Sequence, residues 1–213
     1  MRSKLSRVAG LLASAVLFLG AIGLGTLGTN EPVLAGAAQL SVCPSGCSYT
    51  SVRAALNAAR PGDTIEIQPG TYNEHLKLSK NVTLDGPGAI LDGGGAATPG
   101  SVIIVERGVT ATLQGLTITD GYSPDFGGGI LNYGRLTLEG DQIVGNVAAG
   151  NGGGIYNNGV LTLQDSQVTG NSAAGLDGGI DNDTGTVNVA GSVVANNAPS
   201  NCASTPAVST CQD

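Results

Sequence analysis

The chain has 213 residues, of which 41% are hydrophobic but only 3% aromatic, with 35 Gly, no Trp and a formal net charge of -7. An acidic surface repels phosphate, which argues against nucleic acid and anionic lipid as partners. The hydrophobic fraction speaks against disorder, and a core with so few aromatics has to be stacked from Ile, Leu, Val and Ala.

At the start, Arg2, Lys4 and Arg7 precede an apolar run over residues 8–27, and polar Thr29, Asn30 and Glu31 follow. This is the pattern of an export signal, and the small residues Val33 and Ala35 predict cleavage after Ala35, with Ala37 as the alternative. The competing expectation is an uncleaved anchor, because about 20 apolar residues can just span a bilayer. The Gly- and Ala-rich composition and the cleavage site favour removal, so the mature form is expected to be secreted and not membrane-embedded. Without the signal, 1–35, six Lys and Arg face fifteen Asp and Glu. No sorting signal or second domain is read after residue 213, so free secretion of a monomer is the default expectation, with attachment to the cell surface the other.

Residues 36–50 carry Cys43 and Cys47 in a CxxxC pattern. A short helix is predicted over 51–60, with Thr50 or Ser51 as N-cap, Val52, Ala55, Leu56 and Ala59 on one face, and Pro61-Gly62 as the stop. It is expected to cover the first coil of the domain that follows, because a solenoid has open ends that need a cap.

Internal repetition decides the fold. Gly128-Gly129-Ile130, Gly153-Gly154-Ile155 and Gly178-Gly179-Ile180 recur in step, and Asn132, Asn157 and Asn182 follow in phase. Downstream, Leu136-Thr137-Leu138 returns as Leu161-Thr162-Leu163 and, after one inserted residue, as Val187-Asn188-Val189. A third apolar run recurs at Ile143, Val168 and Val194, each followed by Asn146, Asn171 or Asn197. Upstream, Thr112-Leu113 and Ile118 belong to the same series, and Thr83-Leu84 with Ile90-Leu91 is a looser copy.

A repeat of about 25 residues made of three short alternating runs, with Gly, Asn and Asp between them, predicts an all-β fold. The expected architecture is a single-stranded, right-handed parallel β-helix of about six coils over 51–200, the first coil being 64–72. Residues one repeat apart then stack about 4.8 Å apart. Three inward ladders follow: Leu113, Leu138, Leu163 and Val189; Ile118, Ile143, Val168 and Val194; and Ile130, Ile155 and Ile180. Asn132, Asn157 and Asn182 are expected to exchange amide hydrogen bonds along a corner.

Four Cys in an exported chain allow three pairings. Cys43 and Cys47 precede the coils, whereas Cys202 and Cys211 lie in the tail 201–213. Cross-pairing would span the stack, so Cys43 is expected with Cys47 and Cys202 with Cys211. The same separation disfavours a zinc site.

The stretch from Cys43 through Gly46-Cys47-Ser48-Tyr49-Thr50-Ser51-Val52 and Pro61-Gly62-Asp63-Thr64-Ile65 to Pro69-Gly70-Thr71-Tyr72 and Glu74 resembles the cap and first coil of secreted β-helix proteins of pectin-lyase-like fold. The Gly-Gly-Ile repeats, with Val144-Gly145-Asn146 and Thr169-Gly170-Asn171, resemble the repeats of polymorphic outer-membrane adhesins. Ile stands directly after the glycines and Val or Ile replaces a Phe of that pattern, so this second likeness is one of architecture. The fold it implies hosts lyases, hydrolases, epimerases and binding proteins, and function has to come from the surface.

Hydrolytic relatives carry clustered Asp, a Gly-His-Gly and a basic motif, and no match occurs here. The single His, His75, is expected to be solvated beside Glu74. Asp181 and Asp183 alternate on one extended run and could share a face with Asp177, but acidic turn residues are the simpler account. Lyase chemistry would need Ca2+ held by several Asp and a nearby base, and Arg135 lies two coils from Asp183, while Arg107 is isolated and Arg53 and Arg60 belong to the cap. Tyr122, Phe126, Tyr133 and Tyr156 cluster within two coils and offer faces on which sugar rings stack. The run Gly127-Gly128-Gly129 is a turn, not a phosphate cradle, since no helix follows it. The expectation is a non-enzymatic, adhesin-like or polysaccharide-binding module for a polysaccharide or host-cell glycan. The competing expectation is a polysaccharide lyase or glycoside hydrolase acting on an acidic polysaccharide.

Overall fold

The structure is a computed structural model that describes residues 37–202 and Cys211. The export segment, its cleavage site and the anchor alternative lie outside the described residues. Among those described, no helix is long and apolar enough to cross a membrane.

Short strands succeed one another along the chain, and each pairs in parallel with its counterpart one coil later. The first sheet has seven strands, from Gln39–Val42 through Thr64–Ile67 to Thr186–Ala190. The second has six, from Gly70–Asn73 to Val193–Ala195, and the third five, from Leu76–Leu78 to Ile180–Asn182. The result is a parallel β-solenoid, as the repeat predicts. Leu113, Leu138, Leu163 and Val189 are in register, as are Ile118, Ile143, Val168 and Val194. The ladder Ile130, Ile155 and Ile180 extends two coils upstream, through Ile103 to Leu76. Nearly all of these side chains are buried, each worth on the order of 1.5–3 kcal/mol, and Val187 and Val189 are the partly covered members in the last coil.

The corners are held by polar ladders. Asn132 Nδ2 donates to Asn157 Oδ1 at 2.7 Å, and Asn157 Nδ2 to Asn182 Oδ1 at 2.8 Å. A second ladder joins Asn146, Asn171 and Asn197, each Nδ2 donating at 3.0 Å to the Oδ1 of the next. At a third corner, the backbone N–H of Leu116, Asp141 and Ser166 donate to Asp141 Oδ1, Ser166 Oγ and Ser192 Oγ respectively.

Four features depart from expectation. A fourth ladder of two-residue strands, Tyr122–Ser123, Val147–Ala148 and Ser172–Ala173, adds to the three runs per coil. The stack begins before residue 64, because Gln39–Val42 pairs with Thr64–Ile67. The coils are unequal upstream: Thr64 pairs with Thr83 and Thr83 with Thr112, a short step and then a long one, because a loop with the turn Gly95–Ala97 is inserted. This is why the upstream copy looks loose.

The helix is also shorter than 51–60, running over Val52–Ala58. Ser51 is its N-cap, its Oγ accepting from Ala54 N–H at 3.2 Å. The Glu74 carboxylate takes the N–H groups of Val52 and Arg53, and Lys80 Nζ donates to the carbonyls of Leu56, Asn57 and Ala59. Both ends of the helix thus meet a charge of the favourable sign. It stops because Pro61 disfavours helical geometry at Arg60, whose N–H goes to Asp63 Oδ2 at 2.7 Å. Val52, Ala55, Leu56 and Ala59 are buried against the first coils, as their spacing predicts.

The cysteines pair as expected, Cys43 with Cys47 and Cys202 with Cys211, at Cα separations of 5.6 and 5.9 Å.

The Gly-Gly-Ile repeat has a steric cause. A Cβ on Gly154 would lie 2.7 Å from the Gly179 carbonyl oxygen and 2.9 Å from Asn171 Nδ2. Both neighbours are fixed by the stack, so Gly154→Ala is expected to cost roughly 1–3 kcal/mol and lower the thermal midpoint in a melting experiment. The same change at Gly140, whose Cβ would meet nothing within 4 Å but whose φ is +68°, probes backbone strain alone and is expected to cost less.

Candidate functional site

The outer face of the third sheet gathers most of the surface residues that the sequence singles out. In register along it stand Lys77, Ile104, Leu131, Tyr156 and Asp181. Strand alternation sends them outward, since Ile130, Asn132, Ile155 and Asn157 on either side are buried. Two residues later the chain contributes a second row: the N–H groups of Glu106, Tyr133, Asn158 and Asp183 donate to the carbonyls of Leu78, Val105, Asn132 and Asn157.

Phe126 reaches this face from the preceding loop and stacks on Tyr156, ring centroids 4.8 Å apart and planes at 29°. Phe126 is still 40% exposed, so the stacked pair keeps apolar ring surface in contact with solvent. The Asp183 carboxylate lies close enough to the Tyr156 hydroxyl to act on it, and accepts from Asn158 Nδ2 at 2.8 Å. Burial first, then the neighbouring Asp183 and Asp181 carboxylates, push the Tyr156 hydroxyl up to about 12, so it keeps its proton.

Asp181 is 5% exposed and lies near the Asn151 side chain. Its carboxyl is raised above the usual range, first by burial and then by Asp177 and Asp183, with the Asn151 amide opposing. Asp177 accepts from Ser200 Oγ at 2.7 Å. Asp177 belongs to the buried corner, Asp181 is buried on the sheet and Asp183 stands at the exposed rim.

Toward the other end, Arg107 lies over the Tyr133 ring at 5.6 Å and Lys77 pairs with Glu106. Arg107 is thus not isolated. A shallow depression of about 610 Å3 is lined by Lys77, Ile104, Glu106, Arg107, Leu131 and Tyr133. Tyr133 also borders a neighbouring depression of about 350 Å3 with Gly108, Thr110, Arg135 and Val160. Tyr122 stands apart from the stacked pair, in the short fourth ladder opposite Val147.

Arg135 lies in the first sheet, in register with Val160 and then Thr186, which keeps it two coils from Asp183. Among the described residues, no three His, Cys, Asp or Glu side chains come together in a group that could hold a metal ion.

His75 is not the solvated residue its loop position suggests. It is half-buried, its Nδ1 lies 2.9 Å from the Ser101 carbonyl oxygen, and its Nε2 is buried without a hydrogen-bond partner. The signal missed in the sequence is the long second step of the repeat, which folds the Gly-rich insertion over it. Asn158, by contrast, sits one repeat before Asp183, so that contact was available from the spacing alone.

The chain matches no family model, and no curated protein and no solved structure shows significant similarity to it.

Proposed function

We propose that the chain is an exported, non-enzymatic module, a right-handed β-helix of pectin-lyase-like type that binds a polysaccharide or cell-surface glycan on the outer face of its third sheet. The observation that carries this reading is the Phe126–Tyr156 stack bordered by Asp181, Asp183 and Asn158. Solvent-exposed ring surface accepts the apolar face of a sugar ring, and the surrounding carboxylates and amide accept or donate to its hydroxyls. The two disulfides suit an oxidising compartment, which supports export.

The test is a glycan-array screen of the protein followed by titration of the best ligand. Tyr156→Ala and Phe126→Ala are each expected to weaken binding by roughly tenfold, with the circular dichroism spectrum unchanged. Binding that is indifferent to both substitutions would move the site elsewhere.

A lyase or hydrolase is favoured by one observation: the raised Asp181 carboxyl beside a second carboxylate, the pairing that general acid catalysis on a glycoside uses. Release of reducing sugar or of unsaturated products from uronic polymers, with and without Ca2+, and its loss in Asp181→Asn, would replace the binding reading.

A further inference from the structure

On the outer face of the third sheet, charge and shape both change sign from one end to the other. Its five rungs run from Leu76–Leu78, the first, through Ile103–Val105, Ile130–Asn132 and Ile155–Asn157 to Ile180–Asn182, the fifth. Neighbouring rungs are about 4.8 Å apart. The basic side chains stand at the start, Lys77 on the first rung and Arg107 just past the second, and both are exposed. The carboxylates Asp181 and Asp183 stand at the end, and of these only Asp183 is exposed. Between the two ends the outward residues are Ile104, Leu131, Tyr133 and Tyr156, all half-buried.

Shape follows the same direction. Phe126, 40% exposed, stacks on Tyr156 and so forms a knob over the fourth rung. The hollow of about 610 Å3 is lined from the first rung by Lys77, from the second by Ile104, Glu106 and Arg107, and from the third by Leu131 and Tyr133. It therefore centres on the second rung.

A two-fold axis along the middle strand, Ile130–Asn132, brings a second copy onto this face with its rungs in reverse order. The fourth rung of each copy then meets the second rung of the other, so each Phe126 faces a hollow. The fifth meets the first, so each Asp183 faces the Lys77 and Arg107 end. Leu131 and Tyr133 meet their own counterparts at the axis, and Glu106 falls opposite Asn158, whose amide can donate to it. Lys77 pairs with Glu106 within the chain, but an exposed pair of this kind is weak and leaves the ammonium free to share. An axis along the solenoid would instead set knob against knob and carboxylate against carboxylate. Only the reversed arrangement matches opposite charges and fills both hollows.

We propose that this face is a self-complementary interface through which two copies of the chain associate with their solenoid axes antiparallel. Phe126 of each copy is seated in the hollow of the other, and Asp183 of each faces Lys77 and Arg107 of the other. About ten residues a side is fewer than the roughly 20–30 of a standard interface, so a dissociation constant above about 10 μM is expected. The monomer expected from the sequence is then the dilute form. The proposal does not rest on glycan binding, but the dimer covers Phe126 and Tyr156, so a glycan and a second copy exclude one another there.

Sedimentation equilibrium of the mature protein, without glycan, from about 10 μM to about 1 mM tests the proposal. The parent is expected to pass from monomer to dimer and no further, because a two-fold interface closes on itself. Lys77→Glu and Asp183→Lys are each expected to weaken association by roughly tenfold, and Phe126→Ala by at least as much. The two charge substitutions shift net charge in opposite directions, so a loss common to both cannot come from overall repulsion. Mixing Lys77→Glu with Asp183→Lys restores opposite charges at both ends of the mixed dimer, and its affinity is expected to return to within about threefold of the parent. Native circular dichroism spectra confirm that the variants fold. A parent that stays monomeric throughout, a dimer undiminished by Phe126→Ala, or a mixture that associates no better than its two components would overturn the proposal. Each of these results leaves the glycan-array reading standing, and an array without a ligand leaves the dimer standing.

Discussion

Asn171→Ala is expected to lower the unfolding free energy by roughly 3–5 kcal/mol, as much as truncating a large core side chain. Asn171 Nδ2 donates to the Ile143 carbonyl at 2.9 Å and to Asn197 Oδ1 at 3.0 Å. Its Oδ1 accepts from both the backbone N–H and the Nδ2 of Asn146, each at 3.0 Å. Asn171 is 1% exposed, so alanine would leave polar groups of three residues short of a partner where water has little access. Because Asn146 and Asn197 belong to adjacent coils, the damage crosses two interfaces of the stack. Asn158→Ala removes an exposed bond to Asp183 and is expected to cost no more than about 0.5 kcal/mol. Urea unfolding followed by circular dichroism compares the two, and equal shifts in midpoint would mean that the buried ladder adds nothing beyond generic corner geometry.

The coils were legible because a solenoid writes its contacts into a constant sequence offset. Leu113, Leu138 and Leu163 could be stacked from spacing alone, and so could the amide bonds of Asn132, Asn157 and Asn182. Where the offset changes, legibility fails for the same reason. Ile104 faces Leu131 across the longer step, so the apolar continuation of the third-sheet face toward Lys77 was hidden, as was the half-burial of His75. The strand Gln39–Val42 was missed because the Cys-bearing segment and the helix stand between it and its partner. Of the candidate aromatics, Phe126 and Tyr156 meet although they come from a loop and a strand thirty residues apart in number, a contact that periodicity within strands cannot express. Tyr122 is close to Phe126 in sequence, but its strand belongs to a different ladder.

The corner at Asp141 predicts a pH dependence that runs against ordinary acid denaturation. Successive coils place Asp141, Ser166 and Ser192 at equivalent positions, and each accepts a backbone N–H from the coil before it. Serine does this without charge. Asp141 is fully buried, and desolvation pushes its carboxyl up to about 7, with Glu139 adding to the shift and the N–H groups of Leu116 and Glu139 opposing it. In the unfolded chain the same carboxyl titrates near 3.8. Between those values the folded protein holds a proton that the unfolded chain has lost. The stabilising contribution is therefore complete below the unfolded value and is lost as pH rises through the folded one, a swing of up to about 4 kcal/mol. Asp141→Ser installs the side chain that the next two coils carry, so it is expected to keep the bond to Leu116 N–H and to remove the swing. Asp63, whose carboxyl is lowered by the N–H groups of Arg60 and Ala38, loses its contribution only as pH falls below the ordinary carboxylate value. Asp181, also raised, titrates in both proteins and cancels from their difference. Urea midpoints at pH 4 and pH 7.5 are expected to fall with rising pH more steeply in the parent than in Asp141→Ser, and parallel slopes would show that the carboxyl is ionised in the folded protein across that interval.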